Sequence, residues 1–263
     1  ASRDVRREHA RVGERATQGK GAILACECHD LGDGVLKEAA GHATGAYGAD
    51  LLFVDDERDA RALHVGDVDL GEHGGVSADA VVVAITQNHG AVEAHVAALV
   101  SAVKKKVSLP LMVRLPHYVA DNKKSLRALE TAGADGICTI ESIRGISGLD
   151  IVNARPLMPT HGGYTGTNVR PITLSAIAAL SQNSNLPVAA TGGFDAAENV
   201  IEAIELGATT VMLGSALLGG YGIITETVRR LEEWLEKNGY GDIGALRGAA
   251  LQYLRSYEEL HER

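Results

Sequence analysis

Large rings are scarce in this chain: two Phe, one Trp and seven Tyr in 263 residues, 4% in all. The core therefore has to be packed from Ala, Val, Leu and Ile, a composition that suits tight helix-on-strand layers. Cysteine is scarce too. Three in a chain this long exclude a disulfide framework and fit a reducing compartment. They also exclude an all-cysteine iron–sulfur cluster, which needs one thiolate more than the chain has. No apolar run approaches the roughly 20 residues that span a bilayer. The arginine-rich beginning is not followed by a signal-type apolar stretch. A net basic field is missing as well: 25 Lys and Arg against 34 Asp and Glu give −9, with a pI near 5.6. Nothing in that balance suits a nucleic-acid or acidic-membrane partner. The expectation is a cytoplasmic protein that handles a small polar molecule.

What is present is a regular alternation. Short apolar runs at Ala22–Cys26, Leu51–Val54, Ala80–Ile85, Leu111–Leu115, Gly136–Ile140, Val188–Ala190 and Thr210–Leu213 read as strands. Amphipathic stretches at Ala91–Lys105, Lys123–Ala132, Leu174–Ser181 and Ala196–Leu206 read as helices between them. Strand, helix, strand in that rhythm means βαβ units and a parallel sheet. The length suits one (β/α)8 barrel, so a single TIM-barrel domain over residues 1–263 is predicted, its remaining strand falling near Pro156–Met158. Residues 1–20, charged and mixed in sign, form an N-terminal helical arm. Residues 225–263 form a C-terminal helical extension, with Trp234 on the apolar stripe of Thr225–Lys237 and a further helical stretch over Ile243–Leu260. The polar, glycine-rich segment Asp56–Gly75 is either a substrate-facing loop or a plain surface loop.

Glycines mark the ends of the last strands. L-P-V-A-A-T-G-G-F carries Gly192 and Gly193 at its tip, and V-M-L-G-S-A-L carries Gly214 and Ser215. Without a Cβ in the way, backbone N–H groups there can approach an anion, joined by one hydroxyl. The last two strands of a (β/α)8 barrel are where phosphate sites sit. A lone Gly-Gly is more often a tight turn; two tips one strand–helix unit apart favour a phosphate cradle.

G-G-Y-T-G-T-N-V-R-P-I-T-L, A-T-G-G-F-D-A-A-E-N-V and V-M-L-G-S-A-L, with A-G-A-D-G-I-C-T-I-E-S-I-R-G upstream and E-W-L-E-K-N-G-Y then A-L-R-G-A-A-L at the end, resemble the FMN-dependent dihydroorotate dehydrogenase superfamily. That group includes the flavin domain of dihydropyrimidine dehydrogenase, and the resemblance runs from about Ala80 to Leu251. It implies an FMN lying over the barrel mouth. Gly192, Gly193, Gly214 and Ser215 would hold its phosphate, and Thr165 and Gly166 would flank its ribityl chain. Arg114, in L-M-V-R-L-P, stands where the family keeps a lysine beside the flavin's pyrimidine edge. A cation there stabilises negative charge on the reduced flavin, although Arg is a planar fork where Lys is a point charge. An inward ion pair with a carboxylate is the structural alternative for Arg114. The resemblance also implies a homo-oligomer, and electrons passing through a separate protein or a diffusible acceptor.

The departures from the family fall on the substrate side. Where the family carries its Cys or Ser base, this chain has Thr86, Gln87, Asn88 and His89. A carboxamide such as Gln87 cannot take a proton. Asp55 stands near the family's lysine, and Glu141 takes the place of its asparagine. Carboxylates at both positions would repel orotate, so the expected substrate is another small molecule, with Glu27, Asp55, Gln87, His117 and His161 as candidate contacts. The candidate proton partners are Cys28, Thr86, His89 and Glu141. The alternative function is a non-redox barrel, a lyase, a transferase or a binding protein, that uses the same cradle for another phosphorylated ligand.

Cys26-x-Cys28-His29-Asp30 combines zinc-type ligands, but C-x-C lacks the second pair that completes a site. No metal is assigned. A packed thiol at Cys26 and a mouth-facing Cys28 is the favoured account. His42, His64, His73 and His95 read as surface or helix residues. Lys104, Lys105 and Lys106 read as a solvated run offsetting a helix dipole.

Overall fold

The computed structural model describes residues 51–55, 80–84, 92–105, 108–140, 142–255 and 259. The predicted arm, the strand Ala22–Cys26, the segment Asp56–Gly75 and the constellation Cys26 to Asp30 lie outside them. Six strands form one parallel sheet: β1 (Leu51–Asp55), β2 (Ala80–Ala84), β3 (Leu111–Arg114), β4 (Gly136–Cys138), β9 (Val188–Thr191) and β10 (Thr210–Met212), in that spatial order. Helices return the chain between them. α1 (Val92–Lys104) joins β2 to β3, α2 (Lys123–Ala132) joins β3 to β4, α3 (Arg170–Asn183) precedes β9, α4 (Ala197–Glu205) precedes β10, and α5 (Gly222–Lys237) follows it. Among the described residues the strands do not close into a ring, and β1 and β10 are the edges.

Alternation along the strands sorts side chains to two faces. Val113, Ile137, Ala190 and Val211 pack with Leu126 and Leu129 of α2, Ile177 and Leu180 of α3, and Val200 and Ile204 of α4 in the main core. Met112, Cys138, Ala189 and Met212 form a separate small cluster, so the second face carries sulfur and alanine rather than rings. Helix α2 shows why its bounds match the expectation. The Asn122 side chain accepts from Lys124 N and Ser125 N at its start, and Gly133 ends it in the left-handed region, at φ 94.

The run Pro156–Met158 does not supply a barrel strand. Between β4 and α3 the chain leaves the sheet as two nested antiparallel ribbons: β5 (Ile143–Gly145) with β8 (Gly162–Tyr164), and β6 (Leu149–Asp150) with β7 (Arg155–Pro156). β4 bonds directly to β9, with Ile137 opposite Val188, leaving no slot between them. Pro156 has no N–H to give a central ladder, so it fits only a ribbon of this kind. The ribbon's turn is held by Asp150, whose carboxylate accepts from Val152 N at 3.0 Å and Asn153 N at 3.2 Å.

Two other expectations change. The stretch Ile243–Leu260 is not a continuous helix; two 3-10 turns, Ile243–Leu246 and Leu251–Tyr253, are separated at Gly248, which adopts φ 74. Lys104 is not merely solvated. Its ammonium pairs with Asp135, whose carboxylate also accepts from Leu111 N at 2.7 Å, tying the end of α1 to the starts of β3 and β4. Trp234 is partly buried against the core and stacks on Tyr240 with ring centroids 5.8 Å apart.

Candidate functional site

The C-terminal ends of β9 and β10 lie side by side, with Thr191 paired to Met212. The ladder of β9 stops at Thr191, and the next two residues turn into the left-handed region: Gly192 at φ 118 and Gly193 at φ 88. Each is also pressed against α3. A Cβ on Gly192 would lie 2.6 Å from Thr173 Oγ1, and one on Gly193 would lie 2.8 Å from Arg170 N. Glycine is needed at both positions for conformation and for close approach.

Beyond β10 the buried Leu213 leads to Gly214, which caps the 3-10 turn Ser215–Gly219 by accepting from Leu217 N at 2.9 Å. The first N–H groups of such a turn have no acceptor within it. Gly192, Gly193, Gly214 and the exposed Ser215 thus set backbone donors, and one hydroxyl, at two neighbouring strand tips. That donor set suits a phosphate dianion, so the residues present fit the phosphate end of an FMN.

The approach to α3 completes this side. Thr165 is exposed, and Gly166, at φ 92, accepts from Val169 N at 3.1 Å to start the 3-10 turn Thr167–Val169. That turn delivers Arg170, whose backbone abuts Gly193 and whose guanidinium pairs with Glu202 of α4 at 3.4 Å. The N-terminus of α3 and the tip of β9 are therefore one packed unit. Asp195, just beyond the glycines, is exposed and accepts from Asn199 Nδ2 at 2.6 Å.

Arg114 ends β3 and is 7% exposed. Its Nη2 donates to the Ile140 carbonyl at 3.2 Å, so the cation is held at the end of β4. Ile140 in turn donates its N–H to Thr191 O at 3.0 Å, and its side chain lies 3.3 Å from where a Cβ on Gly192 would stand. Arg114, Ile140 and the glycine tip are linked in sequence across three strands. The register places Asp55, Ala84, Arg114, Cys138, Ala189 and Thr210 in one row across the sheet. Asp55 is therefore level with Arg114, two strands away.

Among the described residues, two further candidates are placed. His117 is half-buried, opens the 3-10 turn His117–Val119 beyond β3, and meets the Tyr118 ring edge-on at 5.5 Å. His161 is exposed on the return of the ribbon, next to β8. Glu27, Cys28, Thr86, Gln87, His89 and Glu141 lie outside the described residues. Sequence reasoning missed Arg170, Thr173 and Ile140. Pro171 was the available signal for the first two, since proline favours the first turn of a helix and moves the start of α3 ahead of Leu174.

Comparison with known proteins places these elements in a family. The family model for dihydroorotate dehydrogenase matches residues 82–235, from β2 to the last turn of α5. Among curated proteins, the catalytic subunit of dihydroorotate dehydrogenase B (NAD(+)) of Pyrococcus abyssi is 31% identical over 156 residues, covering 59% of this chain and 52% of that protein. The corresponding subunit of Methanosarcina mazei is 33% identical over 156 residues, covering 59% and 49%. Dihydroorotate dehydrogenase A (fumarate) of Lactobacillus helveticus is 36% identical over 151 residues, covering 57% and 49%. The chain spans about half the length of the curated relatives it matches. The family is built on a (β/α)8 barrel and its members are FMN-dependent flavoproteins. The parallel sheet, the two glycine tips and the extent of the match together establish that this chain belongs to the dihydroorotate dehydrogenase family.

Proposed function

We propose that this chain binds FMN and acts as an oxidoreductase on a small molecule other than orotate. The observation that carries the reading is the pairing of glycine tips on adjacent strands β9 and β10, with a buried cation, Arg114, tied to the same tip through Ile140. Gly192, Gly193, Gly214 and Ser215 hold the phosphate, and Thr165 and Gly166 border the ribityl chain. Bound there, the flavin supplies two-electron hydride transfer. Arg114 places a fixed positive charge toward the pyrimidine edge, where it favours the form carrying negative charge and needs no reorganisation to do so.

On the substrate side, the proton partner is one of Cys28, Thr86, His89 and Glu141. Asp55 and Glu141 disfavour an anionic pyrimidine carboxylate, which supports a neutral or cationic substrate. Glu27, Gln87, His117 and His161 are the further candidate contacts. Relatives named as catalytic subunits support electron exchange with a separate protein. A single barrel domain, a homo-oligomer and a cytoplasmic setting belong to the same proposal. Among the described residues no helix is long and apolar enough to cross a membrane.

The test is spectroscopic. Protein purified yellow, or colourless protein that takes up added FMN and then shows the flavin absorbance bands, supports the reading. Failure of reconstitution overturns it in favour of a non-redox barrel holding another phosphorylated ligand. Photoreduction followed by an oxidant screen, with Glu141→Gln and Cys28→Ala beside wild type, then tests those side chains; unchanged turnover in both removes them from the reaction.

A further inference from the structure

The tips of β4 and β9 are joined in an irregular way. Thr139 N donates to Ala189 O at 2.9 Å, as a parallel ladder requires. The next bond of that ladder would run from Thr191 N to the Thr139 carbonyl. Instead, Thr191 N donates to the Thr139 hydroxyl at 3.2 Å. The same hydroxyl oxygen lies 3.5 Å from Thr191 O, the outer limit for a bond donated to it. The backbone then slips by one residue. Ile140 N takes Thr191 O as acceptor at 3.0 Å, one residue earlier than a regular ladder would place the next donor. Both threonines are buried, at 1% and 4% exposure, so water is not a ready substitute partner.

This slip sets the position of Ile140. With its N–H committed to Thr191, its carbonyl receives Arg114 Nη2 and its side chain meets Gly192. We infer that Thr139 is a positioning residue, whose hydroxyl holds the Gly192–Gly193 tip in fixed relation to the Arg114 guanidinium. The inference rests on the flavin reading only for what the cradle holds. Thr139 acts through Thr191 and Ile140. Without the hydroxyl, the buried Thr191 N–H loses this acceptor, and one of the bonds that aim the tip is removed.

The test compares Thr139→Val, which keeps the branched shape and removes the hydroxyl, with Thr139→Ser, which keeps the hydroxyl. Thr139→Ala is the second hydroxyl-free variant should Val not fold. The readout is the ratio of FMN to riboflavin affinity, because the two ligands differ only in the phosphate and a general loss of stability weakens both alike. The ratio is expected to fall about tenfold in Thr139→Val and Thr139→Ala and to stay within about twofold of wild type in Thr139→Ser. A wild-type ratio in the hydroxyl-free variants, or an equal fall in Thr139→Ser, overturns the inference. If the wild-type protein shows no preference for FMN, the flavin reading fails separately. Hydrogen exchange at the Thr191, Gly192 and Gly193 amides then decides the role of Thr139 in the same proteins. Faster exchange at all three amides in the hydroxyl-free variants, reversed in Thr139→Ser, supports it, and any other pattern overturns it.

Discussion

The backbone nitrogen and Cα of Arg170 stand 2.8 and 3.0 Å from where a side chain on Gly193 would begin. The start of α3 and the tip of β9 are thus in contact across a gap that admits only hydrogen.

Gly193→Ala should therefore suffer twice, from its φ of 88 and from the clash with Arg170. The expected loss is about 2–4 kcal/mol of stability, together with a fall in FMN affinity. Gly133→Ala is the control, because φ is 94 there, in the left-handed region, but the atom nearest the added carbon, Lys104 Cγ at 3.4 Å, is at ordinary contact distance. It should cost only about 1–2 kcal/mol. Denaturant unfolding of the two variants checks the difference, and equal losses would refute the close-approach account.

Arg114→Met removes the buried cation while keeping a similar length of apolar chain. In FMN-loaded protein the flavin reduction potential should become more negative, by tens of millivolts, since about 30 mV corresponds to 1.4 kcal/mol for a two-electron couple. Arg114→Lys should recover part of the shift but not the directed bond to Ile140. Potentials measured against a reference dye check both. An unchanged potential in the Met variant would detach Arg114 from the flavin.

Asp135 supplies a pH signature on the opposite end of the sheet. Partial burial raises the pKa of this carboxyl, but the Lys104 ammonium and the Leu111 N–H outweigh it and leave the pKa below its ordinary 3.8. A depressed pKa means that the stabilisation is present above 3.8 and is lost as the pH falls through the folded-state value. The melting-temperature gap between wild type and Asp135→Asn should be full near neutrality and close under acid conditions. Because the pair is partly solvent-exposed, the gap is modest, corresponding to roughly 1 kcal/mol or less. A gap that widens in acid contradicts the assignment.

Leu126 is fully buried, on the face of α2 that packs into the main core. Leu126→Ala should cost about 2–5 kcal/mol and leave the FMN to riboflavin preference intact in whatever fraction stays folded. Chemical denaturation with a parallel ligand titration separates the two effects.

Much of this organisation was legible in the chain. The bounds of α2 follow from an Asn before it and a Gly after it, both local signals. The glycine tips were visible as glycines at the ends of apolar runs, but their second reason was not, because it depends on Arg170 arriving from another helix. β4 stops at Cys138, short of the expected Ile140, because a threonine side chain takes the place of a backbone acceptor. Nothing in a pattern of apolar residues announces such an exchange. Pro156–Met158 misled for the opposite reason. Leu157 and Met158 look like core residues, yet they lie exposed on a ribbon, where chain direction rather than hydrophobicity decides their placement.

The outer edges of β1 and β10 carry a consequence for handling the protein. Among the described residues neither outer edge has a strand beside it, and each is a row of hydrogen-bonding groups. Such rows recruit strands from neighbouring molecules. A fragment confined to this sheet would therefore present both rows, and its self-association should rise with concentration.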